Sequence, residues 1–213
     1  AVNLTRALKG EKQRQGAWGE MVLERILEES GLASGIHYDI QNSWTDEDGR
    51  RWRPDVVVRM PREKIMVIDS KVSLNDYEVA VNSDDPAQAD AALRRHVAAI
   101  RAHVTTLGEK GYHRMNDASV DYVLMFIPIE GAFSEALRAD PGLARFAMER
   151  RVGLTTPTTL MLTLRTVEHI WAVERRETNA MEIAKRAGAL YDKVAGFVEA
   201  MEGVGKALDQ AGR

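Results

Sequence analysis

Asp55, Asp69 and Lys71 are the residues whose types and spacing could do chemistry. Pro54-Asp55 opens the apolar run Val56-Val57-Val58, and a second run, Ile65-Met66-Val67-Ile68, ends on Asp69-Ser70-Lys71. Side chains alternate faces along a strand, so Asp69 and Lys71 point one way and Ser70 the other, while Asp55, Val57 and Arg59 share a face. If a hairpin sets the two strands side by side, Asp55 comes near Asp69 and Lys71. Two carboxylates that close raise one another's pKa unless a divalent cation neutralises them. Mg²⁺, or Mn²⁺ in its place, suits such a site, because it takes one or two carboxylates, water and phosphate oxygens. A cation held there polarises a phosphoryl oxygen and activates water, and Lys71 would stabilise the charge that develops at phosphorus. The implied chemistry is metal-assisted phosphodiester hydrolysis.

Those residues need a sheet beneath them. Residues 37–44, 52–60 and 64–72 predict three strands, with Thr45-Asp46-Glu47-Asp48-Gly49 and Pro61-Arg62-Glu63 as hairpin connections. Ahead of them, residues 3–30 predict a helix whose apolar stripe is Trp18, Val22, Leu23, Ile26 and Leu27 and whose stop is Ser30-Gly31. Asp84-Asp85-Pro86 opens a second helix that ends before Gly111. A buried strand at 120–127 follows, then a short helix after Pro128 and Glu130 that breaks at Asp140-Pro141-Gly142. A short strand at 152–154 leads to Thr155-Thr156-Pro157-Thr158, the cap hydroxyls and early proline of a long helix. The order α-β-β-β-α-β-α-β-α predicts an α/β fold with a mixed sheet and long C-terminal helices. The expected division is a core over residues 1–160 and a helical extension over 161–213, packed on the core or in a helix pair.

Composition bounds the partners. The chain has 213 residues, 45% of them hydrophobic, with a net charge of −3, enough for one sizeable core but with no bulk positive field. DNA would have to be held by local basic patches. The absence of cysteine excludes disulfides, thiolate zinc sites and cysteine nucleophiles. No apolar run reaches the roughly 18 residues of a membrane span, so a soluble, cytoplasmic chain without membrane contact is expected, and its start at Ala1 reads as that of a fragment.

Arg51 and Arg53 share the Asp55 face by alternation and could meet phosphates flanking a scissile bond; Trp52 points the other way. Lys12 and Arg14, with Lys9, form a second basic stretch on the first helix, where a solvated face explains them as well. Thr158, among the hydroxyls of residues 155–159, could bind phosphate at a helix N-terminus, and a helix cap accounts for it equally. Two stretches keep a 4,3 apolar spacing: Leu93, Val97, Ile100, Val104, Leu107 and Ile183, Ala187, Leu190, Val194, Phe197, Met201, Val204, Leu208. Such seams pack on each other, on the sheet, or against a second copy in a homo-oligomer. His96 and His103 are expected to be exposed on their helix, and no zincin, P-loop or dinucleotide-binding motif is present.

Beyond this spacing, Pro54-Asp55, then 13 residues, then Asp69-Ser70-Lys71, is the pattern of the PD-(D/E)xK nuclease superfamily. Together with "RQGAWGEMVLERILEESGL", "FIPIEGAF" and "TTPTTLMLTLRTVEHIWAVERRETNAMEIAKRAGALYDKVAGF", the chain resembles the RmuC family of bacterial DNA recombination proteins from about Arg14 to Phe197. The resemblance implies a restriction-endonuclease-like αβββαβ core. It also implies a nuclease acting in DNA recombination or repair, with Asp55, Asp69 and Lys71 as its motif and Glu20 as the acid of the first helix. The Ser70 carbonyl would be a further metal ligand. Asp69 stands where the superfamily more often has Glu, one methylene longer, and Ser70 and Ser73 replace the Ala and Pro common in the family. A membrane anchor and a long coiled coil usually precede this domain in the family, so the full-length protein would sit at the bacterial inner membrane.

Each assignment has a plainer reading: Asp55 as a strand-start residue, Asp69 and Lys71 as a structural ion pair, Glu20 as a solvated helix residue. Two functional readings follow, a Mg²⁺-dependent DNA nuclease and a catalytically silent DNA-binding or assembly module on the same scaffold. A coiled-coil adaptor is a third, weaker one.

Overall fold

Five buried residues in a row, Ile65 to Asp69, make a strand that must be covered on both faces. The computed structural model describes residues 12–40, 44–45, 51–52, 54–70, 73–111 and 119–212, without the side chains of 12–15, 44–45, 51–52, 119–121 and 209–210. Its elements are α1 (Lys12–Glu29), β1 (Tyr38–Ile40), β2 (Trp44–Thr45), β3 (Arg51–Trp52), β4 (Val56–Arg59), β5 (Ile65–Asp69), α2 (Asn75–Asn82), α3 (Pro86–Lys110), β6 (Ser119–Phe126), α4 (Glu130–Ala139), α5 (Leu143–Met148), β7 (Val152–Thr155) and α6 (Pro157–Ala211). Contacts divide the chain into Ala1–His169 and Ile170–Arg213, and α6 contributes residues to both units.

In the first unit the sheet runs β1-β4-β5-β6-β7, with β5 at its centre. β1, β4 and β5 are antiparallel neighbours, while β6 and β7 join in parallel. This is the expected mixed sheet, and the parallel joins need the crossovers that α2–α3 and α4–α5 supply. On one face Val57, Ile65, Val67, Val123 and Met125 pack with Val97, Ile100, Val104 and Leu107 of α3 and with Ala132, Ala136, Leu143 and Ala147 of α4 and α5. The first 4,3 seam thus packs on the sheet. The side chains of alternate parity, Val56, Val58, Met66 and Ile68, are buried together with Leu23, Ile26 and Leu27 of α1. Early in α6, Leu160, Leu164 and Val167 are also buried, at the spacing of one helix face.

Two expected strands are each interrupted. The 37–44 and 52–60 stretches divide between the main sheet and a separate two-stranded ribbon, β2 with β3. Pro54, which has no N–H to give a ladder, lies between β3 and β4. The hairpin from β4 to β5 turns through Arg62 and Glu63, both with positive φ.

α3 is bounded as its sequence predicts. The Asp85 side chain accepts from Ala87 N, Pro86 sits in the first turn, and Gly111 closes the helix in the left-handed region at φ 67°. Its position is fixed sideways by Arg101, whose Nε donates to Asp140 at 2.7 Å and whose guanidinium lies 4.3 Å from the Phe146 ring centre. α2 has no counterpart in the expected elements. Leu74 at its N-cap makes no side-chain cap bond, so the usual marker of a helix start is missing. In the second unit Ile183, Leu190, Val194, Phe197, Met201, Val204 and Leu208 are exposed. Among the described residues, no helix is long and apolar enough to cross a membrane.

Two packing details give predictions. A β-carbon on Gly131 would lie 2.5 Å from Tyr77 Oη, so Gly131→Ala should destabilise the fold by about 1–3 kcal/mol. Tyr77→Phe in the same chain should restore most of it, as read by urea denaturation. His96 is fully buried, contacts the Ala132 carbonyl through Nε2 at 3.2 Å, and has its pKa pushed down by that burial. The unfolded chain takes up a proton below about pH 6.5 that folded His96 resists, so its contribution is intact above that pH and lost as pH falls through its lowered folded value. The melting temperature should therefore fall more between pH 7 and pH 5 in the natural chain than in His96→Gln.

Candidate functional site

β4 and β5 pair with Val56 opposite Ile68, and the same register continued by one residue sets Asp55 opposite Asp69. The backbone N–H of Ser70 donates to Asp55 Oδ2 at 2.9 Å. Pro54 starts this strand end and fixes φ there, so the Asp55 carboxylate is tied directly to the Asp69-Ser70 step.

Asp69 has no exposed surface. A buried carboxylate without compensation is strongly destabilising, and α3 supplies the compensation. His103 Nε2 hydrogen-bonds Asp69 Oδ2 at 3.1 Å, and Lys110 Nζ stands 3.7 Å from Oδ1. His103 and Lys110 are seven residues apart, two helical turns, and so lie on one side of α3. The expectation of an exposed His103 is overturned, since its side chain is only 19% accessible, and His96 is fully buried. The sequence carried a signal for this. His96, His103 and Lys110 recur every seven residues beside Ile100 and Leu107, which places them at the edge of the buried stripe and not opposite it.

Ser70 takes the other face. A β-carbon on Gly19 of α1 would lie 3.4 Å from Ser70 Oγ and 3.6 Å from Pro128 Cγ, so the bare glycine lets α1 approach the end of β5 closely. The next residue, Glu20, lines a pocket with Glu24, Leu23, Leu27, Asp55 and Val56. The structure therefore brings Glu20 and Asp55 to one pocket and ties Asp55 to Ser70. Asp69 is drawn toward α3 by His103 and Lys110.

Glu20, Asp55, Asp69 and the Ser70 carbonyl are all hard oxygen donors, a set whose chemistry fits Mg²⁺ or Mn²⁺. Among the described residues, no three His, Asp or Glu side chains are already gathered as a ligand set.

Lys71 and Arg53 lie outside the described residues, as do the side chains of Lys12, Arg14 and Arg51. Thr158 lies at the start of α6, where its backbone N–H donates to Glu130 Oε1 at 2.9 Å. Burial pulls the Glu130 carboxyl upward, but hydrogen bonds from Thr158 and Thr156 outweigh it and hold its pKa below the usual value. The helix end proposed for a phosphate is thus already engaged by the chain's own carboxylate, a partner that the sequence reading missed.

Comparison with known proteins matches the RmuC family over residues 1–213. The chain is 51% identical over 212 residues to the "DNA recombination protein RmuC homolog" of Vibrio cholerae serotype O1, covering 99% of this chain and 41% of that protein. It is 47% identical over 211 residues to the protein of the same description from Pseudomonas aeruginosa, covering 99% of this chain and 46% of that one. With the "DNA recombination protein RmuC" of Escherichia coli (strain K12) it shares 45% identity over 212 residues, 99% of this chain and 45% of that protein. The chain thus spans less than half the length of these relatives. On a match that runs from its first residue to its last, this chain belongs to the RmuC family.

Proposed function

We propose that this chain hydrolyses phosphodiester bonds of DNA in a divalent-cation-dependent reaction that serves recombination. The observation that carries the reading is a wholly buried Asp69 at the end of β5, beside an Asp55 bound to the Ser70 amide, with Glu20 opening to the Asp55 pocket. The relatives' description as DNA recombination proteins supports the substrate.

Asp55, Asp69, Glu20 and the Ser70 carbonyl would hold the Mg²⁺ or Mn²⁺, which when bound polarises a phosphoryl oxygen and lowers the pKa of water. The β4–β5 register, with Val56 opposite Ile68, would bring Asp55 toward Asp69 when continued by one residue, and the Ser70 N–H would steady Asp55 through Oδ2. Lys71, two residues beyond Asp69, would offset charge on the attacked phosphate. Arg51 and Arg53 would hold neighbouring phosphates and so place the strand without reading its sequence. This chemistry belongs in the cytoplasm, where the DNA is.

One observation favours a second reading, a silent DNA-binding or assembly module: Asp69 is already engaged by His103 and Lys110 of α3. Cleavage of labelled single-stranded, duplex and branched DNA with Mg²⁺ or Mn²⁺ separates the two. Asp69→Asn and Lys71→Ala should each lower cutting by about 100-fold or more, whereas binding without cutting by the natural chain under every condition would support the silent module.

The exposed seam of the second unit supports self-association. Its apolar residues hold a 4,3 spacing for more than three heptads, the pattern of helices that pair. Light scattering should show an oligomer that Leu190→Glu with Phe197→Glu converts to monomer, and a natural chain that is already monomeric would contradict this.

A further inference from the structure

The exposed seam of α6 is uneven along its length. Its smallest member, Ala187, lies in the first half, and its bulkiest, Phe197, lies in the second. Two copies paired parallel and in register would stack Ala187 on Ala187 and Phe197 on Phe197, one layer hollow and another overfilled. Close-packed interiors disfavour both. Run antiparallel, the same seam fills evenly, because each small member meets a larger one from the other end. The edges of the seam point the same way. One edge holds Tyr191 and Val198, both exposed, and the other holds Arg186 and Lys193, then Ala200 and Ala207. Parallel helices bring unlike edges together, which sets Lys193 against Val198, whereas antiparallel helices bring like edges together, so Tyr191 meets Val198 and Lys193 meets Ala200. Charge agrees in sign. Residues 170–193 carry five basic and four acidic side chains, and residues 194–213 carry two basic and three acidic, so +1 faces −1 only when the halves are reversed.

We propose that α6 pairs antiparallel with α6 of a second copy of this chain. The register sets Ile183 opposite the second copy's Leu208, Ala187 opposite its Val204, Leu190 opposite its Met201 and Val194 opposite its Phe197. The assignment rests on the self-association reading above and gives it a direction and a register. All eight seam positions are used in four layers, each repeated by symmetry, and the two-fold axis falls between Val194 and Phe197. Ile183 of one copy then lies about 38 Å along the pair from Ile183 of the other, 25 residues at a rise of 1.5 Å. A parallel pair would set the two side by side. The apolar patch that α6 shows to solvent is of the extent that interfaces cover, and a second copy covers it end to end.

The chain has no cysteine, so a disulfide reports only the positions where cysteine is introduced. Ile183→Cys and Leu208→Cys chains, co-expressed with tags of different length and then oxidised, should yield the mixed disulfide and almost none between like chains. Facing seam residues fall within the Cα separation that a disulfide spans, and like residues do not. A parallel pair yields the two like-chain disulfides instead and overturns the direction. No disulfide of either kind, in chains that light scattering shows to be associated, overturns the register. Ala200→Glu gives a second readout that leaves the seam intact. Set beside the second copy's Lys193, it should tighten association about twofold to fivefold at low salt, while Ala200→Lys weakens it by a similar factor. Equal affinities for the two variants contradict the pairing of like edges. A natural chain that is monomeric by light scattering removes the self-association reading itself, and the inference with it.

Discussion

The charge of Asp69 is the constraint around which the first unit is organised. A carboxylate at the end of the central strand, with no exposed surface, has to be compensated from within the protein, and every element near it contributes. β4 brings Asp55 opposite it, the Ser70 amide ties that strand end together, and α3 crosses the sheet face with His103 and Lys110 aimed at the two oxygens. The α3 caps at Asp85 and Gly111 set where that helix begins and ends. The Arg101 contacts with Asp140 and Phe146 hold it in place along its length. An apolar residue at position 69 would complete the strand with less electrostatic cost.

The two sides of the β5 end serve different purposes. Toward α3 lies a dense apolar core in which Asp69 Oδ2 meets His103 Nε2, Lys110 stands near Oδ1, and His96 Nε2 meets the Ala132 carbonyl. Toward α1 the packing opens into a pocket that admits Glu20 and Asp55, and Gly19 permits the close approach of that helix to Ser70. Glu20 and Asp55 meet on the α1 side, while His103 and Lys110 reach Asp69 from the α3 side.

Much of this was legible in the sequence where local chemistry and tertiary packing agree. Asp85-Pro86 and Gly111 mark α3 because capping and left-handed geometry are local needs, and the apolar runs mark β4 and β5 because both faces of those strands are buried. The α2 helix was not legible, since Leu74 offers no capping side chain and its stability comes from packing. The ribbon of β2 and β3 parts from the main sheet at Pro54, a break that hydrophobic alternation does not reveal. The partners of His103 and Glu130 were not legible because they are distant in sequence, 34 residues for His103 with Asp69 and 28 for Glu130 with Thr158. The heptad spacing of His96, His103 and Lys110 along the buried stripe was the available clue.

The proposed chemistry requires Asp55 and Asp69 to share a divalent cation. The most direct test is the anomalous difference map of a crystal of this chain grown with Mn²⁺. A cation shared by the two aspartates would give a peak about 2.1–2.2 Å from one oxygen of each, within the usual range for a hard cation on carboxylates. A map with no peak at the end of β5 at saturating Mn²⁺ would contradict it and leave Asp69 as a structural ion pair.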